Sequence, residues 1–398
     1  MAEKNRNGLR AVEESDMEEY RQKLREHRRK VIKRMSILIL AVLSMAAGAW
    51  IFFSLRHYEA YDVRSSVERS DTEATRFEEF RGNILKYSND GAFYTDASNG
   101  LIWNQTYEMS SPETDICGEY LVIYDRRGTQ IYILTPDGLQ GSIETTMPVT
   151  QVCVAEQGVI AVLMQSDATG HLALYDKSGR NLASGAIYGE KGGYPVAIAL
   201  SRDAIRLAVS MLDINDAGIR STIAFYNYSA AGQNEIDNCV GVSTFPDMVI
   251  PEMKFTSDER MVAFGDSEII LFEGARRPQA VMEIPLEKQA RSIFYNEKYI
   301  GVVTAGGDET VRYHLTVYDT RGRMIMEQDF DMEYETIEFL SGNEICIRNP
   351  HACAIYTLQG IYKFYSEFQE ELCKVIPGIS GLDYTFVLSH ATEKVRLK

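Results

Sequence analysis

From residue 83 to the carboxyl end one punctuation keeps returning: a short apolar run, a polar turn closing on glycine, and another short apolar run. The clearest copies are Leu134-Thr135-Pro136-Asp137-Gly138, Tyr175-Asp176-Lys177-Ser178-Gly179 and Tyr318-Asp319-Thr320-Arg321-Gly322. Aligned on the glycine, the copies fall at 100, 138, 179, 232, 274, 322 and 360, with spacings of 38, 41, 53, 42, 48 and 38 residues. The runs between them are rich in Val, Ile, Tyr and Phe and bounded by Gly, Asp, Asn and Ser, which is strand chemistry, and no amphipathic helical period interrupts them. A period of about forty residues with four strands per unit is that of a propeller blade. Hairpin insertions at 213–219 and 305–311 account for the long 53 and 48 intervals.

A second element fixes the order of strands within a unit. Residues 197–203 lead into 205–210, and 253–258 into 261–265, each as an inner strand, a polar turn and a second strand; looser versions stand at 292–296 and 337–342. A ring of blades must close, because an open one leaves an unpaired sheet edge. The amino end offers strands at 83–88, 92–96 and 101–109, the carboxyl end at 385–389 and 394–397, so a blade shared between the ends would lock the ring. The expectation is an all-β domain over 80–398, a seven-bladed propeller. Eight blades stay open, since the two ends supply more strands than one blade uses.

Ahead of this domain lies 35–55, twenty-one residues without a charged side chain, long enough to cross the roughly 30 Å hydrocarbon core of a bilayer as one helix. Ser15-x-x-Glu18 has the form of a capping box and opens a Glu-, Arg- and Lys-rich helical run over the rest of 1–34. Eight basic residues from Arg21 to Arg34 precede the apolar stretch, against three (Arg56, Arg64, Arg69) just after it. That asymmetry places the amino terminus in the cytoplasm and the carboxyl-terminal domain outside the cell membrane, as a single-pass protein. A cleaved signal peptide with Ala47-Gly48-Ala49 as its site is the competing reading; the thirty-four-residue leader and the apolar continuation through Phe53 argue for an uncleaved anchor. Residues 56–79 are polar, without apolar period, and are expected to form a stalk.

Residues 1–34 hold eleven Lys/Arg against seven Asp/Glu, and 56–398 hold thirty against fifty, a net of -20. So acidic a body repels phosphate, and nucleic acid is not an expected partner. The six cysteines (Cys117, Cys153, Cys239, Cys346, Cys353, Cys373) sit largely in apolar runs, as small buried hydrophobes do; Cys346 and Cys353 could bridge neighbouring strands.

Tyr94-Thr95-Asp96-Ala97-Ser98-Asn99-Gly100-Leu101-Ile102-Trp103 resembles the Asp-x3-Gly…Trp turn of quinoprotein-like propellers. Leu200-Ser201-Arg202-Asp203 and Thr256-Ser257-Asp258 resemble elements of WD40-like and TolB-like propellers. With the basic head, the apolar span and Gly193-Tyr194-Pro195-Val196 leading into the best-formed unit, the chain looks like an uncharacterised family of membrane-anchored propellers of clostridia-like bacteria, a domain of unknown function. The resemblance implies fold and location, and carries over no catalytic residue.

Candidates for chemistry are few. Only the first repeat keeps a Trp after its glycine, so quinone docking is not expected and Trp103 reads as a packing residue between blades. His27, His57, His171, His314, His351 and His390 are scattered, and His351-Ala352-Cys353 is the nearest approach to a ligand pair, with no second pair behind it. Asp213-Ile214-Asn215-Asp216-Ala217-Gly218 starts like a calcium loop and fails at Ala217, leaving a hairpin. No nucleophile elbow, Walker loop or dinucleotide fingerprint occurs. Gly189-Glu190-Lys191-Gly192-Gly193, Arg202, Asp203, Ser257 and Asp258 are the residues expected near the ring's central opening, if they do more than close turns. No catalytic, cofactor or metal residue is assigned. The expected function is non-catalytic: a scaffold held at the membrane by 35–55 that binds a protein or cell-envelope ligand on a propeller face. The alternatives are an extracytoplasmic hydrolase or lyase working in the central funnel, and signal relay through the basic helix.

Overall fold

The computed structural model describes residues 14–54, 56–70, 74–166, 169–188, 193–215, 218–307 and 311–398. Two compact units divide at His57 and Tyr58. The first holds one helix, α1 (Glu14–Ser54). Among the described residues no helix is long and apolar enough to cross a membrane. The expected span lies on α1, but the side chains of 46–47 and 49–54, and residue 55, are outside the described set, as are the side chains of the capping box.

The second unit is an eight-bladed β-propeller of four-stranded antiparallel sheets. The first seven blades follow the chain, with inner strands Arg76–Phe80, Pro112–Cys117, Val149–Val154, Tyr194–Leu200, Glu252–Phe255, Ala290–Tyr295 and Thr336–Phe339. The eighth consists of Leu372–Pro377, Asp383–Leu388 and Ala391–Leu397, and its outermost strand is Tyr61–Glu68 from the other end of the chain. That strand runs antiparallel to Ala391–Leu397, from Tyr61↔Leu397 to Glu68↔Ala391.

This closure decides for eight blades, the count left open beside seven, and corrects the reading of 56–79. The seven aligned glycines count hairpins between third and fourth strands, and the eighth blade has none because its fourth strand comes from the amino end. The segment 56–79, read as a stalk, carries that closing strand and most of Arg76–Phe80. Its polarity follows from position: an outermost strand buries little, and Tyr61–Glu68 is exposed or half-buried throughout.

Middle strands read as unbroken apolar runs, such as Tyr120–Asp125 and Ile160–Ser166, because neighbouring blades cover both faces. The core accordingly divides into eight clusters among the described residues, one at each junction between blades. Seven are large; blades 7 and 8 share Cys346, Ile355, Phe364, Val375, Phe386 and others. At the seam between blades 8 and 1 the described buried cluster is just Phe77, Ile84, Ile376 and Val387, with the half-buried Cys373 against it. Polar contacts reinforce that seam: the Arg69 guanidinium lies 4.6 Å from the Phe77 ring centroid and donates to the Leu388 carbonyl, and Lys394 Nζ donates to Ser98 Oγ at 3.0 Å.

The recurring turn has a local cause. Asp176 Oδ1 accepts from the amides of Ser178 (2.9 Å) and Arg180 (3.0 Å), and Asp319 Oδ1 does the same with Arg321 (2.9 Å) and Arg323 (3.0 Å). Gly179 (φ 84°) and Gly322 (φ 79°) take the left-handed step that closes it. In the first blade Asp96 clamps Ser98 and Gly100 in the same way, but the left-handed residue is Asn99 (φ 62°), so the true equivalent lies one position before the aligned Gly100. The hydroxyl of Ser178 and the amide of Arg180 do most to hold the Asp176 carboxyl down at about 2. Trp103 does pack between blades: its indole donates to the Thr135 carbonyl at 3.1 Å and its ring stacks on Tyr94. The stretch 213–219 is a hairpin pairing Asp213↔Arg220 and Asn215↔Gly218, while 216–217 and 308–310 lie outside the described residues.

Removing Tyr61–Glu68 exposes the whole edge of Ala391–Leu397. A chain starting at residue 71 is expected to unfold more than about 10 °C below one starting at residue 58 and to aggregate on heating, as circular dichroism melts and light scattering would register.

Candidate functional site: the charged central channel

The first strand of every blade lines the ring axis, and three of these short strands place a charged residue between apolar neighbours, Met253-Lys254-Phe255, Ile337-Glu338-Phe339 and Cys373-Lys374-Val375, while Glu78 and Asp115 each have one apolar neighbour, Phe77 and Ile116. Met253, Phe255, Ile337 and Val375 pack between blades, and Glu78, Glu338 and Lys374 border the space on the axis. A cavity of about 840 Å³ opens there, bounded by Glu79, Ile116, Arg202, Glu297, Ser341 and Lys374 among others. These come from six of the eight blades, which only a space on the axis can touch. A second cavity of about 440 Å³, lined by Tyr87, Arg348, Glu371 and His390 among others, lies beside the closing seam. Glu78, Glu338 and Lys374 border both and form the waist between them.

Lys374 is the keystone of that waist. Its Nζ lies 2.9 Å from Glu78 Oε2 on blade 1 and 2.8 Å from Glu338 Oε2 on blade 7, so the closing blade is tied to both neighbours through one side chain. Burial opposes the charge, but the two carboxylates outweigh it and push the lysine above its ordinary range. Lys254 of blade 5 reaches the opposite wall, 3.0 Å from Asp115 Oδ1 on blade 2, and Asp115 Oδ2 accepts the Val154 amide of blade 3 at 2.7 Å. That carboxylate raises Lys254 likewise. Although its ammonium sits inside the ring, the side chain keeps 36 % of its surface, as a group facing an open channel does. Burial raises the Glu79 carboxyl, against a hydrogen bond from Ser341.

At one mouth the turns between first and second strands are stitched together. Arg202 on blade 4 pairs with Glu156 of blade 3 and reaches Glu297 of blade 6 at 2.6 Å. Asp258 Oδ1 accepts the Asp203 amide (3.0 Å), Asn296 Nδ2 donates to Asn343 Oδ1 (3.0 Å), and Arg81 pairs with Glu119. The hydrogen bond that Arg202 donates to the Glu156 carboxylate does most to raise the guanidinium above its ordinary value.

Of the residues expected at the opening, Arg202 lines the axial cavity, Asp203 and Asp258 join neighbouring turns, and Ser257 borders neither cavity. Residues 189–192 lie outside the described set, and Gly193 (φ 92°) packs against the Leu212 backbone, where a Cβ would come within 2.7 Å of its carbonyl oxygen. His351 is exposed in a turn while Cys353 is buried, so they form no ligand pair. Cys346 and Cys353 are in contact, Sγ to Sγ 3.6 Å, as free thiols. The waist residues Glu78, Glu338 and Lys374 were not anticipated, although Glu338 and Lys374 are each the one charge in their inner strand; Glu78 shares its strand with Arg76 and Glu79 and carries no such mark.

Lys374→Met strands two carboxylates in the channel. It is expected to cost about 2–4 kcal/mol, discounted from the roughly 3–5 kcal/mol of a fully buried broken pair because Glu78 keeps 39 % of its side chain exposed. Since the folded lysine is raised, the lost stabilisation should be constant below the ordinary lysine range and shrink as pH climbs beyond it, measurable by urea melts from pH 6 to 11.

No curated protein matches this chain in sequence. Among solved structures it is similar to BamB of Moraxella catarrhalis (12 % identity, 85 % of this chain and 100 % of that one, TM-score 0.48). It is also similar to Sqt1 of Saccharomyces cerevisiae (9 % identity, 86 % and 100 %, TM-score 0.55), a likeness of fold. The profile of a family of unknown function, DUF5711, matches residues 54–397, the closing strand and all eight blades included, and the chain belongs to that family.

Proposed function

We propose that the protein is a non-catalytic scaffold, held by α1 at the cell membrane with its propeller outside, that presents a propeller face to a protein or cell-envelope ligand. The observation that carries the anchoring is the surface of α1. Ile37, Leu38, Ile39 and Leu40 are each more than half exposed, and four consecutive residues cover a helix's full circumference. A helix apolar all round is matched to lipid rather than water. The eight-to-three excess of basic residues before the span supports the orientation. A binding role is supported by the channel, where Lys374, Lys254 and Arg202 already pair with the carboxylates Glu78, Glu338, Asp115, Glu156 and Glu297. Charges so committed hold the ring together.

One observation favours a hydrolase or lyase as second reading: Tyr87, Glu371 and His390 line the 440 Å³ cavity together with Glu78 and Glu338. Turnover of a cell-envelope glycan or ester that disappears in both Glu371→Gln and His390→Ala, with melting unchanged, would replace the scaffold reading.

Protease added to intact cells is expected to release the propeller and leave the segment before residue 35 protected. Protection of the propeller until lysis would reverse the orientation. Crosslinking in intact cells should then retain a partner on the wild-type chain that Lys374→Met also retains, since the waist is assigned no ligand.

A further inference from the structure

The two faces of the propeller differ. First and third strands of each blade run one way and second and fourth the other, so the turns between first and second strands and those between third and fourth share one face. The closing strand is the fourth of its blade and begins on that face: Tyr61 stands opposite Leu397, where the third strand ends, and the Ala60 carbonyl accepts the Lys398 amide at 2.9 Å. The chain therefore enters the propeller on the face that carries Arg202. Leu55, the last residue of the expected span, is three steps from Tyr58, a reach of about 11 Å at most.

The entry face is also the more apolar and the less acidic. Ile379, wholly exposed, stands in a turn of blade 8, and Ile236, 86 % exposed, in a turn of blade 4. Blades 4 and 8 are opposite in a ring of eight, so the two tips lie across the face from each other. Each of the eight outermost strands carries a large apolar side chain, more than a third exposed, within its first four residues, the end nearest this face. Leu101, Leu139, Leu182 and Met324 are examples, and among the described residues of these strands Tyr188 alone lies beyond. Charge runs the opposite way. Of the seven carboxylates on the same strands, all but Asp62 stand at the fourth position or later. By sequence, the segments joining strands at the entry face hold nine Lys/Arg against twelve Asp/Glu, and those joining strands at the other face hold six against seventeen.

We propose that the propeller rests on the lipid surface by its entry face, with Ile379 and Ile236 in the head-group layer and the apolar rim beside it. The inference rests on the anchoring by 35–55. An anchor alone leaves a domain free to tumble, whereas a body apolar at one end and acidic at the other takes a single orientation on lipid. The short tether and the charge make the bilayer the occupant. The tether holds this face near the membrane, and anionic lipid then meets the face poorer in carboxylates, with Arg276 and Arg321 exposed on its turns. The acidic face, where Glu371 and His390 border the smaller cavity, is left turned to the partner.

The test places one tryptophan reporter on each face of the full chain, reconstituted in vesicles of phosphatidylcholine and phosphatidylglycerol brominated near the glycerol end of their acyl chains. Gln359→Trp, at an exposed turn of blade 7 on the entry face, should lose about half of the added emission to the bromines, and Gln369→Trp, exposed on the other face, almost none. Ile236→Ser with Ile379→Ser, added to Gln359→Trp, should restore about half of what was lost. Trp50 lies in the span and reports the anchor: Trp50→Phe should remove most of the quenching that wild type shows. Circular dichroism melts confirm that each variant is folded. With Trp50 quenched, three results overturn the docking and leave the anchor standing: reporters quenched alike, an entry reporter that lipid does not reach, as a second copy seated on that face would give, or quenching indifferent to the two serines. An unquenched Trp50 overturns both.

Discussion

Every blade but one could form from its own stretch of chain; the ring as a whole depends on eight residues that leave the sequence at one end and join the sheet at the other. Tyr61–Glu68 caps Ala391–Leu397 and removes the edge that three carboxyl-terminal strands would expose. The strand is fastened on more than one side. Tyr61 lies edge-on to Phe386 at 5.2 Å and stacks on Phe368 at 6.2 Å, and the Tyr58 amide donates to the Lys363 carbonyl of blade 7 at 2.8 Å. The closure therefore grips blade 7 as well as blade 8. It needs to, because the junction where the ring meets itself has the smallest apolar cluster.

Electrostatics inside the ring complement that weakness. The ammonium of Lys374 couples blades 7, 8 and 1 across the region where hydrophobic contact is thinnest, and Lys254 spans from blade 5 to blade 2. Ion pairs at partly buried sites add little net stability against a well-packed apolar alternative, and they penalise misalignment heavily, because a shifted blade leaves a charge without a partner. The channel's charges are thus suited to fixing how many blades close and in what register. The stitched turns around Arg202 do the same at one mouth.

Much of this was legible in the chain. The repeat spacing, the Asp-clamped turns and the apolar middle strands led to an all-β ring, since each follows from local chemistry. The blade count was harder for a definite reason: glycine marks hairpins, and the last blade replaces its hairpin with a distant strand. Tyr61–Glu68 reads as linker because pairing, rather than burial, makes it a strand. Arg202 could be placed near the axis from its turn. Glu78, Glu338 and Lys374 lie in three different repeats, and their convergence depends on which blades become neighbours when the ring shuts.

The route by which Arg69 comes to bond Leu388, three hundred and nineteen positions away, also orders events in time. A ribosome delivers the closing strand early and its docking site last, so each growing chain carries that strand idle through nearly all of its synthesis. Once the last blade emerges, nothing in the pairing from Tyr61↔Leu397 to Glu68↔Ala391 specifies that both strands belong to one molecule. Neighbouring chains made close together can exchange their amino-terminal strands at no loss of contacts, and only the higher effective concentration of the tethered strand keeps the ring self-contained.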